Sequence, residues 1–384
     1  MKKFMFLICA AAALFFAGCG DPLREAAEKG DANAQYELCI RYATGDGVKQ
    51  DLDEAINWGV KAIEQGHEKA FMWLRDSAEQ GFVQSQYRLG WCYYESKRVP
   101  KNHVLSVKWW TEAAKQGHVH AQYDLAGCYY YGDGTDQDYE MAVKLYRQAA
   151  EQDFDKAQHE LGVCYYKGNG VDQDYGKAVQ WFRKAAAQNN ASSQSYLGLC
   201  YWNGYGVEKS RNQAIEWMWK AAEQGYAKAQ YDLGWCYYKS QDRHEAMKWF
   251  HKAADSGYAS AQYDLALCYQ NGFGVDKSAN EAVRWFQRAA EQGHAKAQYQ
   301  LGQCYYKGSG VMKDRAEAVR WYQLSADQDY ANAQYDLAMC YQYGDGVEQN
   351  RSEAFTLFRK ASRQGYPGKQ KDELSRFKKY LIFK

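Results

Sequence analysis

His-Glu pairs and a Ser-x-x-Lys segment are the parts of this sequence whose residue types could do chemistry. The pairs at His67, His159 and His244 match the start of the helical zinc motif, which needs a second histidine three residues beyond the glutamate. That histidine is missing from all three pairs, so no zinc site is predicted. Ser375 and Lys378 have the spacing of acyl-serine enzymes but lack the accompanying motifs. We therefore predict no catalytic residue, no metal and no cofactor.

Seven Gly-x-Gly turns are a further candidate, because glycine-rich loops can bind phosphate through backbone N–H groups. Such loops connect a strand to a helix. Here each turn lies between two helical patterns, so we interpret the turns as connectors. Nucleic acid is not expected as a partner, because 48 Lys and Arg balance 47 Asp and Glu to a net charge of +1.

The turns belong to a unit that repeats about every 36 residues. The segment 229–238 reads Ala-Gln-Tyr-Asp-Leu-Gly-Trp-Cys-Tyr-Tyr and recurs almost unchanged along the chain. An earlier unit begins at Ala34, with Cys39 one position out of the column. The cysteine marks the other units at Cys92, Cys128, Cys164, Cys200, Cys236, Cys268, Cys304 and Cys340. A fixed period of this length predicts a repeat architecture.

Each unit predicts two helices. Leu233 and Cys236 belong to an apolar stripe with helical spacing before the turn, and Phe286 and Ala289 to another after it. In most units a glycine follows the second helix, where a left-handed residue commonly ends a helix. Asparagine and aspartate tolerate positive φ better than most other residues. They replace that glycine at Asp153, Asn189 and Asp329.

These patterns predict an all-α fold, a right-handed superhelical α-α solenoid of about nine 36-residue helix-turn-helix repeats over residues 32–365. Residues 67–81 are predicted to be a truncated unit with a second helix only. Proline, which disrupts helix interiors, occurs only at Pro22, Pro100 and Pro367.

The repeated cysteines raise the question of disulfide bonds. Equivalent residues of stacked repeats should lie about 10 Å apart, roughly one helix diameter. A disulfide needs Cα atoms within about 7 Å of each other. We therefore interpret the cysteines as small buried apolar residues between repeats, with disulfides and metal binding as the alternatives.

The unit resembles the Sel1-like repeat family, which is related to the tetratricopeptide repeats. The pattern that carries the resemblance is Ala-x-Tyr-x-Leu-Gly-x-x-Tyr, then Gly-x-Gly-Val, then Ala-x-x-Trp-Phe-x-x-Ala-Ala-x-x-Gly. It covers residues 32–365 and implies an adaptor-like protein whose concave face binds partners. One branch of the family is cysteine-rich, with a disulfide that joins the two helices of each repeat and an association with penicillin binding and β-lactam hydrolysis. Here glutamine replaces the first cysteine in all nine units, and residues such as Ala150 replace the second.

Aromatic residues form columns in the first helices. By analogy with tetratricopeptide geometry, these columns should face the concave groove. Tyr and Trp give a large contact area at low entropic cost, although the same rings could fill gaps between helices instead. The predicted partner-binding residues are Tyr87, Trp91, Tyr94, Tyr123, Tyr130, Tyr166, Trp202, Tyr231, Trp235, Tyr238, Tyr263, Tyr299, Tyr306 and Tyr335.

The N-terminus resembles a lipoprotein export signal. Two lysines precede an uncharged apolar stretch, and small residues come just before Cys19, as in a lipobox. The resemblance implies a signal peptide over residues 1–18, a lipid on Cys19 and an N-terminal linker over 19–31. Gly20 after the cysteine favours outer-membrane sorting, facing the periplasm or the cell surface. An ordinary secretion signal with an incidental Cys19 is the alternative.

The ends and the repeats together predict a function. Residues 366–384 are expected to form a C-terminal capping helix, or else to touch an anionic lipid surface. We expect a non-enzymatic protein–protein interaction scaffold, anchored in the bacterial cell envelope, with a protein or peptide partner. The alternatives are a groove that binds glycan or cell-wall strands, and a β-lactamase-like or penicillin-binding hydrolase of the cysteine-rich branch.

Overall fold

The structure, a computed structural model, describes residues 21–365. The predicted signal peptide 1–18, Cys19 and the predicted capping helix 366–384 lie outside the described residues. Within residues 21–365 all regular structure is helical, with 20 helices and no strand, which confirms the predicted α-solenoid class. None of these helices is both long and apolar enough to cross a membrane.

The helices follow one another in pairs. The first helix of each pair precedes the turn and the second follows it. A single helix stands before the first pair, within the segment predicted as a linker, and another lies over the segment predicted as a truncated unit. The bounds are α1 Pro22–Glu28, α2 Ala32–Thr44, α3 Leu52–Glu64, α4 Glu68–Glu79, α5 Val83–Glu95, α6 His103–Lys115, α7 Val119–Tyr131, α8 Tyr139–Ala150, α9 Asp155–Lys167, α10 Tyr175–Ala187, α11 Ala191–Asn203, α12 Arg211–Glu223, α13 Ala227–Lys239, α14 Arg243–Asp255, α15 Ala259–Asn271, α16 Ala279–Glu291, α17 Ala295–Lys307, α18 Arg315–Asp327, α19 Ala331–Tyr343 and α20 Arg351–Arg363.

The described chain divides into two compact units. Unit one ends at Asn190 and holds α1–α10, and unit two begins at Ala191 and holds α11–α20. Each unit has its own apolar core between the helices of successive pairs. In unit one, for example, Leu161 of α9 and Phe182 of α10 are fully buried. The helical spacing of the sequence therefore places one apolar stripe of each helix in the core.

Helix ends follow the local chemistry of their residues. Asp138 precedes α8, and its side chain accepts a hydrogen bond from the backbone N–H of Met141 (2.9 Å), which is an N-cap. After the second helices, Asp153, Asn189 and Asp329 have φ angles of 59°, 67° and 58°. The predicted left-handed conformation of these three residues is confirmed.

A buried glutamine at the fourth position of each first helix joins successive helices. In α9 the Nε2 of Gln158 donates to the carbonyl oxygen of Ala150 (3.2 Å), and its Oε1 accepts from the Nε2 of Gln188 (3.0 Å). Because Gln158 has no exposed surface, its amide group forms no hydrogen bond with solvent, and these bonds within the protein take the place of those with water. Equivalent bonds form at Gln86, Gln122, Gln262, Gln298 and Gln334.

The repeated cysteines are free thiols in the part of the chain that the structure describes. Eight of these nine are buried and Cys268 is half-buried, which confirms the prediction that they are small buried residues. Burial raises the pKa of Cys164 to about 12. Such a thiol stays protonated at neutral pH and is a poor nucleophile or metal ligand.

Candidate binding surface on the first helices

The fourteen predicted partner-binding residues occupy the fifth, ninth and twelfth positions of the first helices. This spacing places them on one side of each helix. We call the surface formed by these three positions, together with the sixth and thirteenth positions that adjoin the ninth on the helix, the first-helix face. Thirteen of the fourteen side chains are half-buried, and Tyr238 is 42% exposed. Each ring therefore packs partly against neighbouring helices and is partly exposed to solvent.

The tyrosines at the fifth position connect one repeat to the next. In unit one, the Tyr87 hydroxyl and the Trp91 indole N–H both donate to Asp124 Oδ2, at 3.2 and 3.1 Å. In unit two, the Tyr231 hydroxyl donates to Asp264 (2.6 Å) in the same way. The polar ends of these aromatic residues thus hold the repeats together, while their rings remain partly accessible.

The tyrosines at the twelfth position make a second connection, to the middle residue of the next Gly-x-Gly turn. The Tyr94 hydroxyl donates to Asp133 (2.9 Å), and that carboxylate also contacts His103. Burial alone would raise the pKa of Asp133, but the bonds from His103 and Tyr94 leave it below its usual value. The Tyr306 hydroxyl donates to Asp345 (2.8 Å) in unit two. These hydroxyl groups therefore join successive repeats.

Acidic residues at the sixth position of the first helices belong to this surface, although the sequence reasoning treated that position as variable. Burial raises the pKa of Asp124 to about 6, although the bonds from Tyr87 and Trp91 act in the opposite direction. Burial also raises the pKa of Glu160. The signal that could have revealed them is the acid that follows the repeated tyrosine, or in one unit His159, in most units. The residues concerned include Asp124, Glu160, Asp232, Asp264 and Asp336.

A pocket of about 190 Å³ opens on the first-helix face of unit one. We call it the Asp124 pocket. Its walls are mostly aromatic, and its polar groups are carboxylates. The residues that define it are Trp91, Tyr94, Tyr123, Asp124, Tyr131 and Glu160.

Unit two has a pocket of about 240 Å³ at the same repeat positions, which we call the Asp336 pocket. Tyr131 and Tyr343, at the thirteenth position of their helices, are 73% and 63% exposed beside the two pockets. Neither tyrosine was among the predicted binding residues, because the thirteenth position is aromatic in only these two units. The residues that define the Asp336 pocket are Gln303, Tyr306, Lys307, Tyr335, Asp336 and Tyr343.

Histidine rings pack against some of the fifth-position tyrosines. His118 caps α7: its Nδ1 accepts from the backbone N–H of Ala121 (3.1 Å), and its ring centroid lies 4.4 Å from that of Tyr87. Burial lowers the pKa of His118 to about 4, with smaller contributions from His120 and Arg88. The neutral imidazole is the form that can accept the capping bond. The same cap explains the His-Glu pair at residue 67, because His67 Nδ1 accepts from Ala70 N–H.

Between pH 7 and pH 5, the free energy of unfolding of His118→Tyr is expected to fall by about 1 kcal/mol less than that of the wild type. This figure allows for solvent screening of the half-exposed His118 ring. The folded-state pKa of His118 lies below the unfolded value, so its stabilisation is present above about pH 6.5 and is lost as the pH falls toward 4. Tyrosine occupies the equivalent position at Tyr226 and Tyr258. Denaturant titrations at several pH values measure the difference between wild type and variant.

Asp124, whose pKa is raised, changes stability with pH in the opposite direction but is present in both proteins. The difference between the two curves therefore isolates His118. His244→Asn, at an exposed histidine of unit two, is the control. Parallel curves for wild type and His118→Tyr would contradict the capping role of the neutral ring.

A family model for the Sel1 repeat matches nearly the whole described chain, at residues 32–67, 67–82, 83–118, 119–154, 155–190, 191–226, 227–258, 259–294, 295–330 and 331–366. The chain belongs to the Sel1 repeat family. The predicted family is thereby confirmed. Sel1 repeat proteins are generally scaffolds for protein interactions and bind protein partners.

Solved structures of Sel1 repeat proteins are similar to this one. A Sel1 repeat protein from Oxalobacter formigenes is 32% identical, over 83% of this chain and 88% of that one, with a TM-score of 0.60. A protective antigen of uropathogenic Escherichia coli strains with an SLR fold is 30% identical, over 93% and 90% of the two chains, with a TM-score of 0.49. No curated protein matches the sequence.

Proposed function

We propose that this Sel1 repeat protein is a non-enzymatic scaffold of the bacterial cell envelope that binds a protein or peptide partner along its first-helix face. The family supports a protein partner, since its members generally act as interaction scaffolds. The residues before Cys19 resemble a lipobox and support a lipid anchor at that cysteine. The buried, protonated thiols of the repeats support a scaffold over a cysteine-dependent enzyme.

The observation that carries the proposal is the accessibility of large aromatic rings on this face. Tyr131, Tyr238 and Tyr343 are 73%, 42% and 63% exposed, and they occupy the twelfth or thirteenth positions of their helices. An isolated exposed ring is common on protein surfaces. Tyr131 and Tyr343, however, recur at the same repeat position beside open pockets, which suits recognition. Tyrosine is among the residues that contribute most to binding energy at interfaces.

The proposal predicts that Tyr131→Ala/Tyr238→Ala abolishes capture of the partner. Photo-crosslinking in native membranes, followed by mass spectrometry, should yield a defined protein with the wild type and at least about tenfold less with the double variant. Trp219→Ala is the matched control, because Trp219 is 47% exposed on a second helix of unit two. The Cys19→Ser variant should be lost from the membrane fraction of the same cells, because the substitution removes the thiol that would carry the lipid.

Circular dichroism must first show that all variants fold alike. Full capture by the double variant would place the binding site elsewhere on the protein. Capture of a polysaccharide in place of a protein would favour the glycan-binding alternative. Membrane retention of the Cys19→Ser variant would contradict the lipid anchor.

A further inference from the structure

Three carboxylates line the Asp124 pocket. Asp133 contacts His103, but Asp124 and Glu160 form no ion pair with the described residues of unit one. Among its defining residues, Asp124 accepts hydrogen bonds only from two neutral donors, the Tyr87 hydroxyl and the Trp91 indole. Glu160 has no hydrogen bond or ion pair within the described chain. Lys156 acts on Asp124, and Lys167 on Glu160, only through longer-range electrostatics. Burying two carboxylates without a cation is unfavourable, so a positively charged ligand would gain affinity there.

The walls of the Asp124 pocket suit the same kind of ligand. Trp91, Tyr94 and Tyr131 line it, and the Tyr131 ring is 73% exposed. The face of an aromatic ring attracts a cation electrostatically. A guanidinium group can also stack flat on such a ring while it donates hydrogen bonds to a carboxylate, whereas an ammonium group is a compact point charge. The combination of rings and carboxylates therefore favours arginine over lysine.

We propose that the Asp124 pocket binds an arginine side chain of the protein partner, with its guanidinium between the aromatic walls and the carboxylates of Asp124 and Glu160. The inference rests on the proposed function, since it assigns one recognition element to the same first-helix face. A volume of about 190 Å³ accommodates one such side chain.

The Asp336 pocket of unit two has the same shape elements but a different charge. Lys307 lines it, and Arg315 pairs with Asp345 at its edge. The two pockets can therefore be compared directly. Both are lined by aromatic residues, but the Asp336 pocket is less negatively charged.

The test is a titration of the full-length protein with the tripeptide acetyl-Gly-Arg-Gly-amide. Tryptophans are replaced by 5-fluorotryptophan, and Trp91→Phe assigns the Trp91 signal in the fluorine NMR spectrum. The arginine peptide is expected to shift that signal in a saturable way at millimolar concentration, as suits so small a ligand. The same peptide with citrulline, which has the shape of arginine without its charge, should bind at least about tenfold more weakly.

Variants of Glu160 separate charge from shape. Glu160→Gln should weaken the arginine peptide about fivefold, and Glu160→Lys should abolish the shift of the Trp91 signal. Neither change removes a hydrogen bond of the folded chain, because the Glu160 carboxylate makes none with the described residues. Asp336→Asn is the control and should leave the Trp91 titration unchanged.

Equal binding of the arginine and citrulline peptides would overturn the proposal, and so would saturable binding to Glu160→Lys. A Trp91 signal that does not move with the arginine peptide would also overturn it. The titration needs no cellular partner. It can fail while membrane crosslinking still captures a protein, which would remove the arginine pocket and leave the scaffold intact.

Discussion

Replacing Gln158 with methionine is expected to lower the free energy of opening of the fourth helix pair, α9 and α10, by about 2 kcal/mol. Methionine has nearly the same volume, so the effect comes from hydrogen bonds and not from a cavity. The carbonyl of Ala150 would lose its donor at 3.2 Å, and Gln188 would lose its acceptor at 3.0 Å. Since Gln158 is fully buried, water cannot replace either bond without entering the core.

Hydrogen–deuterium exchange of the α9 amides measures this opening directly, because repeat arrays open locally. Gln173→Met is the matched control in the same helix pair. Its side chain is exposed and donates one bond to the Tyr166 carbonyl (2.9 Å), so its loss should cost no more than about 0.5 kcal/mol. Equal protection in the two variants would show that the buried bonds add little.

The position of Gln158 also explains how this chain differs from the cysteine-rich branch of its family. By resemblance, Gln158 and Ala150 occupy the two positions at which that branch carries its cysteines. The structure shows that these two residues are in contact through the Gln158 side chain. In this chain, hydrogen bonds at these positions join the second helix of one repeat to the first helix of the next.

The features that the sequence predicted well are those determined within one unit. Helical periodicity and turn glycines depend on residues a few positions apart, so the helix pairs could be predicted from one copy of the repeat. Asp153 is an example, because its positive φ follows from the steric requirement at a helix end. Comparison of nine copies then distinguished the required residues from the variable ones.

The carboxylates of the binding surface could not be predicted in this way. Asp124 meets Tyr87, 37 residues earlier, only because the two repeats stack. Burial among the stacked helices raises its pKa to about 6, and no pattern within one repeat encodes that burial. The aromatic columns lie on the first helices, but several of their hydroxyl groups, such as those of Tyr87 and Tyr94, bind the next repeat. Tyr131, which is 73% exposed, was not predicted because its position is aromatic in only two units.

Gly170→Ala is expected to destabilise the chain by about 3 kcal/mol, through both backbone strain and a steric conflict. Gly170 is the second glycine of a Gly-x-Gly turn and has a φ of +69°. A Cβ atom there would lie 2.2 Å from the carbonyl oxygen of Tyr139, at the start of α8 in the preceding repeat. Because that contact is with backbone, no side-chain rotation can relieve it. The midpoint of guanidinium unfolding and the exchange of the first α8 amides measure the effect.

Gly47→Ala is the matched control, because Gly47 occupies the same position in the turn of the first repeat. Its φ is +70°, but a Cβ atom there would meet nothing within 4 Å, since within residues 21–365 no helix pair precedes that repeat. This variant should therefore show only the cost of a left-handed alanine, about 1 kcal/mol. The difference in free energy of unfolding between the two variants measures how closely the turn of one repeat approaches the preceding repeat. Equal losses would mean that turn conformation alone requires the glycine, and that the stacking contact tolerates a methyl group.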